Sequence, residues 1–213
     1  MMKINNGGGL FGFAKREGFY KLVLYSKPSK LAFPTTDMPL VIYVPYRYGN
    51  APIETEKWLQ SQGFKHLIKL ERYVLKNYNP LSKEPSNNVA AASADEVYKF
   101  LNQYFSWIDM DLPPRDTYNP ENSFCHRADN GELQGVVYDM GHTRIVAVSS
   151  AARGLGIGGK LYRAYMERAM QDRKTPAFYE WIRPDNSASI AMFRKLGFEK
   201  DTLVSDCWVK KTI

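Results

Sequence analysis

Ile145-Val146-Ala147-Val148-Ser149-Ser150-Ala151-Ala152-Arg153-Gly154-Leu155-Gly156-Ile157-Gly158-Gly159-Lys160-Leu161 is the stretch on which the reading of this chain turns. A branched apolar run ends at Val148, a short turn follows, and four glycines stand at the mouth of a helix. Glycine allows the backbone to come close to a ligand. The first amides of a helix have no internal acceptor, so such a turn aims several N–H groups at one spot. A phosphate fits there, favoured by the helix dipole, and Arg153 adds a cationic fork. Two other anion loops are excluded by spacing. Gly159-Lys160 is followed by Leu161 where a nucleotide-hydrolysing loop needs Ser or Thr. Gly154-x-Gly156-x-Gly158 also has the wrong interval for a dinucleotide fingerprint.

Outward from this stretch the pattern is mixed α/β. Ser123–Arg127 and Glu132–Asp139 read as strands joined through an Asn130-Gly131 turn, and Thr143–Val148 follows as a third. The helix after the glycines carries Leu161, Tyr162, Tyr165, Met166, Ala169 and Met170 at three-to-four spacing. Phe178–Ile182 is a strand, Asn186–Leu196 a helix closed by Gly197, and Thr202–Val209 a last strand. Upstream, Ser93 and Glu96 have the spacing of a capping box, ahead of the apolar stripe Val97, Phe100, Leu101, Tyr104 and Phe105. Residues 109–122, with three prolines, form a long irregular segment, a candidate substrate lid.

Before residue 90, Tyr20–Tyr25 and Leu40–Val44 read as strands, Ile53–Gln62 as a helix and His66–Leu75 as a strand. The order strand, helix, Gly-Phe, strand therefore occurs twice, with Gly63-Phe64 and Gly197-Phe198 at the same place. A diverged partial repeat and chance reuse of a common unit both account for it. Asn79 to Asn88, with two prolines, punctuates the chain. The expected organisation is a small α/β portion over residues 1–78, a linker over 79–92 and a larger domain over 93–213.

The 213 residues carry 29 basic and 22 acidic side chains, a net charge of +7. The whole surplus lies before residue 91, as scattered lysines and no run longer than two. This reads as a solvated face, or as a basic face for nucleic acid, an acidic partner or an anionic ligand; with no longer run of charge, nucleic acid is the less expected partner. No apolar run is long enough to span a membrane. Cys125 and Cys207, the only cysteines, lack disulfide or zinc spacing. With no secretory apolar core at the N-terminus, a reducing cytoplasm is the expected compartment.

Arg153-Gly154-Leu155-Gly156-Ile157-Gly158 resembles the Arg/Gln-x-x-Gly-x-Gly/Ala signature of the GCN5-related N-acetyltransferase (GNAT) superfamily. Asn186 to Phe198 is similar to that family's Asn-x-x-Ala/Ser…Tyr…Gly-Phe segment. The resemblance covers roughly residues 93–213. It implies a mixed, splayed central sheet flanked by helices, with acyl-coenzyme A between two separating strands. It further implies that the enzyme moves an acetyl group from acetyl-CoA to a primary amine, on a small molecule or a protein. No metal is expected, and a homo-oligomer is left open. Carried over by residue, the amides around Gly154, Leu155, Gly156, Ile157, Gly158 and Gly159 cradle the pyrophosphate, with Arg153 opening the loop. Val146 and Val148 hold the pantetheine arm through their backbone, and the Val148 amide polarises the thioester carbonyl. Asn186 contacts the arm or caps its helix. Phe193 is expected beside the cofactor, where many relatives have a tyrosine that protonates the leaving thiolate, and it has no proton to give. A coenzyme A-binding protein with weak or no transferase activity is therefore one alternative, and an interaction module with a basic N-terminal portion is another.

For the base, Glu180 is the first candidate, an acid in the otherwise apolar strand Phe178-Tyr179-Glu180-Trp181-Ile182, where burial raises a carboxyl pKa. Glu132, Asp139 and His142 adjoin turns and are weaker. Tyr179 and Tyr138 are candidate proton donors, with packing as the competing role. The aromatic row Tyr43 to Tyr48 is a candidate wall of an acceptor pocket, or a packed strand end.

Overall fold

The computed structural model describes residues 2–6, 9–16, 19–24, 38–76, 90–105, 112–113, 115–141, 143–172 and 178–211. The elements in chain order are β1 (Met2–Asn6), β2 (Gly9–Arg16), β3 (Phe19–Leu24), β4 (Leu40–Arg47), α1 (Ile53–Ser61), β5 (Lys65–Leu75), α2 (Ala94–Tyr104), β6 (Ser123–Arg127), β7 (Leu133–Asp139), β8 (Arg144–Val148), α3 (Ile157–Gln171), β9 (Tyr179–Ile182), α4 (Ser187–Lys195) and β10 (Phe198–Lys210). The strands form two sheets. One has seven strands in the order β1-β2-β3-β4-β10-β5-β9, and the other has three in the order β6-β7-β8. This is a mixed, splayed α/β fold. The strands β1 and β2 are absent from the sequence reading, because their Asn- and Gly-rich composition hides a hairpin that the ladder itself defines (Ile4 opposite Phe11). Residues 79–89 of the expected linker, His142, and part of the expected lid lie outside the described residues.

The chain divides into two compact units. The first comprises residues 1–72, 181–185 and 200–213, and the second residues 73–180 and 186–199. In the first, β4 runs antiparallel to β10, with Ile42 opposite Trp208 and Val44 opposite Asp206. It runs parallel to β3, with Tyr20 opposite Leu40. Leu22, Leu24, Ile42, Val44 and Trp208 form a core with Leu59 of α1 and Phe64. Side-chain pairs Lys200–Glu71 (2.7 Å) and Arg72–Asp201 link β5 and β10.

In the second unit the three-stranded sheet is the middle layer. Ile145 and Ala147 of β8, with Val136 and Tyr138 of β7, face Val97, Phe100 and Leu101 of α2. The capping box of α2 forms as its sequence dictates: the Ser93 side chain accepts the Glu96 N–H, and Glu96 accepts the Ser93 N–H at 2.8 Å. The opposite face is covered by α3, which buries Ile157, Leu161, Tyr162, Tyr165, Met166 and Ala169. The part of the expected lid that is described makes two short 3-10 turns, Arg115–Thr117 and Pro120–Asn122. The Asn119 N–H donates to the Tyr138 hydroxyl at 3.0 Å, so Tyr138 anchors this segment.

The same element order occurs in both halves. An antiparallel trio (β1-β2-β3, then β6-β7-β8) is followed each time by strand, helix, Gly-Phe and strand. The two copies differ where the third strand meets the fourth. Strand β3 pairs with β4, whereas β8 and β9 end different sheets.

Candidate active site

The pairing of β8 decides what its backbone can do. Its neighbour is β7, antiparallel, with Val148 opposite Gly135 and Val146 opposite Val137. The Ser149 N–H donates to the Gln134 carbonyl at 2.8 Å, and the Met140 N–H donates to the Thr143 carbonyl at 2.9 Å. In an antiparallel ladder, bonded and non-bonded positions alternate. Residues 143, 145, 147 and 149 therefore bond towards β7. Arg144, Val146 and Val148 turn their amides and carbonyls to the other edge, which carries no ladder partner among the described residues.

Beyond Val148 the chain makes a single 3-10 turn, Ser150–Ala152, and enters α3 through Gly156. Gly154 (φ +84°) and Gly156 (φ +75°) lie in the left-handed region that favours glycine, and a Cβ added at either meets nothing within 4 Å. Arg153 and Gly154 are exposed, and Leu155 stands 65% exposed although apolar. The first bond closing the helix is Lys160 N–H to Gly156 carbonyl, which leaves the Ile157, Gly158 and Gly159 amides at the helix mouth for an external acceptor. Gly158 itself is a packing site. A Cβ there would stand 3.0 Å from Met192 Sδ and 3.3 Å from Val148 Cγ2, so its lack of a side chain lets α3 close on β8 and α4. Open edge amides, an exposed glycine turn and a free helix mouth in direct succession fit a long ligand with an apolar amide arm and a diphosphate.

Asn186 caps α4, its Oδ1 accepting the Ser189 N–H at 3.1 Å. Phe193 is buried, with its ring edge-on to Tyr162 at 4.8 Å between centroids and 5.2 Å from Phe198. Glu180 is buried too. Its Oε1 accepts Arg144 Nε at 2.8 Å and the Tyr162 hydroxyl. Burial pushes its carboxyl up to about 7, although the Arg144 charge and both hydrogen bonds pull the other way. Arg144, buried alongside, keeps its proton more firmly than usual: burial opposes its charge, and the Glu180 carboxylate together with the Tyr162 and Tyr165 hydroxyls more than offsets that. Burial drives the Tyr162 hydroxyl well above the ordinary tyrosine range. Tyr179 enters through its carbonyl, which accepts Arg144 Nη2 at 2.7 Å, and through its ring, over which the guanidinium sits at 5.7 Å.

Arg144 and Tyr162 escaped the sequence reading. A signal existed for the first, since one arginine opens an otherwise apolar β8 and one glutamate lies in an otherwise apolar β9. Such lone opposite charges in buried strands need each other. Tyr162 falls in a regular apolar stripe and carried no such mark.

The other candidates have ordinary work. Asp139 accepts the Gly141 N–H at 2.8 Å in a turn. Tyr46 donates to the buried Asp206 at 2.5 Å, and Tyr43 and Tyr48 lie under Lys21 and Lys200 at 4.8 and 4.9 Å. Both cysteines are buried, and burial raises the Cys125 thiol, which leaves it a poor nucleophile. No group of three or more metal-binding side chains gathers among the described residues, and no helix there is long and apolar enough to cross a membrane.

A splayed sheet with an open strand edge running into a glycine-mouthed helix defines an acyl-coenzyme A-dependent transferase fold. Residues 94–198 match the acetyltransferase (GNAT) family model, and this portion of the chain belongs to the GNAT superfamily. It is 24% identical over 180 residues to a mycothiol acetyltransferase of Mycobacterium sp. (strain MCS), an alignment that covers 72% of this chain and 60% of that protein. The chain thus spans under two thirds of that relative. Among solved structures it is similar to a Drosophila protein (TM-score 0.69, 16% identity, 97% of this chain and 76% of that one). It is similar also to a GCN5-related N-acetyltransferase from Sphaerobacter thermophilus (TM-score 0.62, 11% identity, 96% and 76%).

Proposed function

We propose that this chain is an N-acetyltransferase that carries an acetyl group from acetyl-CoA to a primary amine by direct attack on the thioester. The observation that carries the reading is the register of β8, which turns the amides and carbonyls of Val146 and Val148 outward immediately before the glycine turn. The Ile157, Gly158 and Gly159 amides, with Gly154, Leu155, Gly156 and Arg153 forming the approach, hold the diphosphate at the positive end of α3. The Val146 and Val148 backbone holds the amide-bearing arm. Acetyl-CoA, when bound, supplies an acyl group activated as a thioester. The Val148 N–H donates to its carbonyl oxygen, a fixed dipole that needs no reorganisation. Glu180 accepts the proton that the amine must lose, and its carboxyl at about 7 suits that exchange near neutrality. Asn186, already committed to capping α4, steadies the flank of the site.

A second reading has Phe193 as its support: a protein that retains coenzyme A without efficient transfer. One experiment separates the two. Calorimetric titration with acetyl-CoA is paired with free-thiol release across ethanolamine, putrescine, tyramine and glycylglycine. Transfer predicts saturable binding and amine-dependent thiol. Glu180→Gln keeps the affinity and loses about 10²-fold in turnover, and Gly156→Arg loses the affinity. Binding without amine-dependent thiol selects the second reading. Undiminished affinity in Gly156→Arg sinks both.

A further inference from the structure

Glu180 is gripped by two elements at once. Arg144 opens β8, Tyr162 lies in the second turn of α3, and both donate to the same atom, Oε1. The Arg144 and Glu180 side chains are only 2% and 6% exposed, and Tyr162 is wholly buried. Arg144 also reaches the Tyr179 carbonyl, so one guanidinium connects β8 to the first two residues of β9 without any shared ladder. The Tyr162 ring is fixed in turn by edge-on contacts with Phe193 (4.8 Å), Tyr165 (5.5 Å) and Phe198 (5.8 Å). The hydroxyl that Phe193 lacks is therefore present on the ring packed against it.

We propose that Tyr162 is a positioning residue for the transfer: with Arg144 it occupies Glu180 Oε1, which favours the carboxylate form and leaves Oε2 to take the amine's proton. This rests on Glu180 being the proton acceptor of the proposed reaction. In that step the N–H bond of the ammonium breaks and an O–H bond forms on Glu180. The positive charge leaves the amine, whose lone pair is then free to attack. A carboxylate with one oxygen saturated by two donors keeps its remaining basicity at the other. The groups that act on Glu180 are Arg144 from β8, Tyr162 from α3 and Asp139 from β7, while Tyr165 of α3 and Tyr179 of β9 stand against the Arg144 guanidinium and Phe193 of α4 brings no charge. Asp139 opposes ionisation, and Arg144 and the Tyr162 hydroxyl favour it. Removing that hydroxyl must therefore raise the carboxyl midpoint.

The test is Tyr162→Phe, which keeps the ring contacts, with Arg144→Lys as the second variant, which keeps the charge and loses the fork. Glutamate labelled with 13C at the carboxyl is titrated by NMR, with Glu180→Gln to assign the resonance. Thiol release from acetyl-CoA with the best of the four amines is followed against pH. The expected result is a wild-type midpoint near 7, raised by about one unit in Tyr162→Phe, with acetyl-CoA affinity unchanged. The acid limb of kcat/KM moves up by the same amount. An unmoved midpoint in Tyr162→Phe overturns the proposal, and so does a moved midpoint with an unmoved acid limb. Failure of the wild type to bind acetyl-CoA is a different failure: it removes the transferase reading itself, and the proposal with it.

Discussion

Gly135 offers a way to disturb the site from behind. It is the third residue of β7, opposite Val148 on one side and His126 on the other. A Cβ at this position would stand 2.7 Å from Ile157 Cγ2 and 3.1 Å from Leu161 Cδ1, both in the first turns of α3. The nearer contact is tighter than atoms tolerate, and Ile157 is branched at Cβ, so its Cγ2 cannot swing aside without changing a stiff χ1. Ile157 is buried, only 5% exposed. Forcing one methyl into such a core costs about 1–3 kcal/mol, against the roughly 0.5–1 kcal/mol that alanine gains over glycine in a strand. Gly135→Ala should therefore lose about 1 kcal/mol net, read as a lower urea midpoint at constant m. The strain falls on the mouth of α3, so acetyl-CoA affinity should drop about tenfold, the equivalent of one charge-assisted hydrogen bond. Ile157→Ala costs about 2–5 kcal/mol alone, and in the Gly135→Ala background it should cost less by at least about 0.5 kcal/mol. Strictly additive effects, or a Gly135→Ala protein as stable as wild type, would refute the packing argument.

Three further outcomes follow from the same geometry. Glu180 has its folded midpoint at about 7, above the ordinary 4.5, so the folded state holds a proton that the unfolded chain releases. Its contribution is complete below about pH 4.5 and is lost as pH rises through 7, a change of about 3 kcal/mol. Besides the loss from leaving Arg144 unpaired, the stability difference between wild type and Glu180→Gln in denaturant titrations should move by that amount towards the variant as pH rises from about 4.5 through 7, and parallel pH curves would contradict it. Arg144→Leu should cost about 3–5 kcal/mol by leaving the Glu180 carboxyl unpaired, and Arg144→Leu with Glu180→Leu should regain most of it; a double variant no better than the single one would exclude the pairing as the cause. Calorimetry should give one acetyl-CoA per chain, and a stoichiometry of two would mean that the first half also opens.

The glycine turn could be read from sequence because three local rules agree there: a branched strand, a run of glycines and the start of a long apolar stripe. Helix α2 was equally plain, since Ser93 and Glu96 specify its first turn by their own hydrogen bonds. Glu180 stood out because a carboxylate in an apolar strand needs a partner. Its partner was less visible, because Arg144 precedes it by 36 residues and the pairing depends on how two strands of different sheets approach. Tyr162 was hidden for another reason. Its ring does the packing that its position in the stripe announces, and only the hydroxyl at its far end does anything more. The hairpin of β1 and β2 stayed illegible because Asn and Gly carry no strand preference, and it is the ladder register that identifies it.

The shared element order lets the two halves be compared position by position. Ile53 and Ser187 begin the two helices, Gly63 and Gly197 follow them, and the same shift sets Tyr46 beside Glu180, Pro52 beside Asn186 and Leu59 beside Phe193. At the matching place the first half therefore has a phenol, which Asp206 holds as a donor and which burial keeps protonated. Its third and fourth strands are joined by a parallel ladder from Tyr20 opposite Leu40 to Val23 opposite Tyr43, which uses the edge amides that an arm would need. In the second half the corresponding strands share no ladder, and the buried Arg144–Glu180 pair bridges them instead. A backbone ladder closes an edge along its length, whereas one side-chain bridge fixes a single point and leaves the next residues, Val146 and Val148, with their amides turned outward. The opening of the sheet and the placing of Glu180 are thus two results of one substitution of bonding, side chain for main chain, at the start of β8.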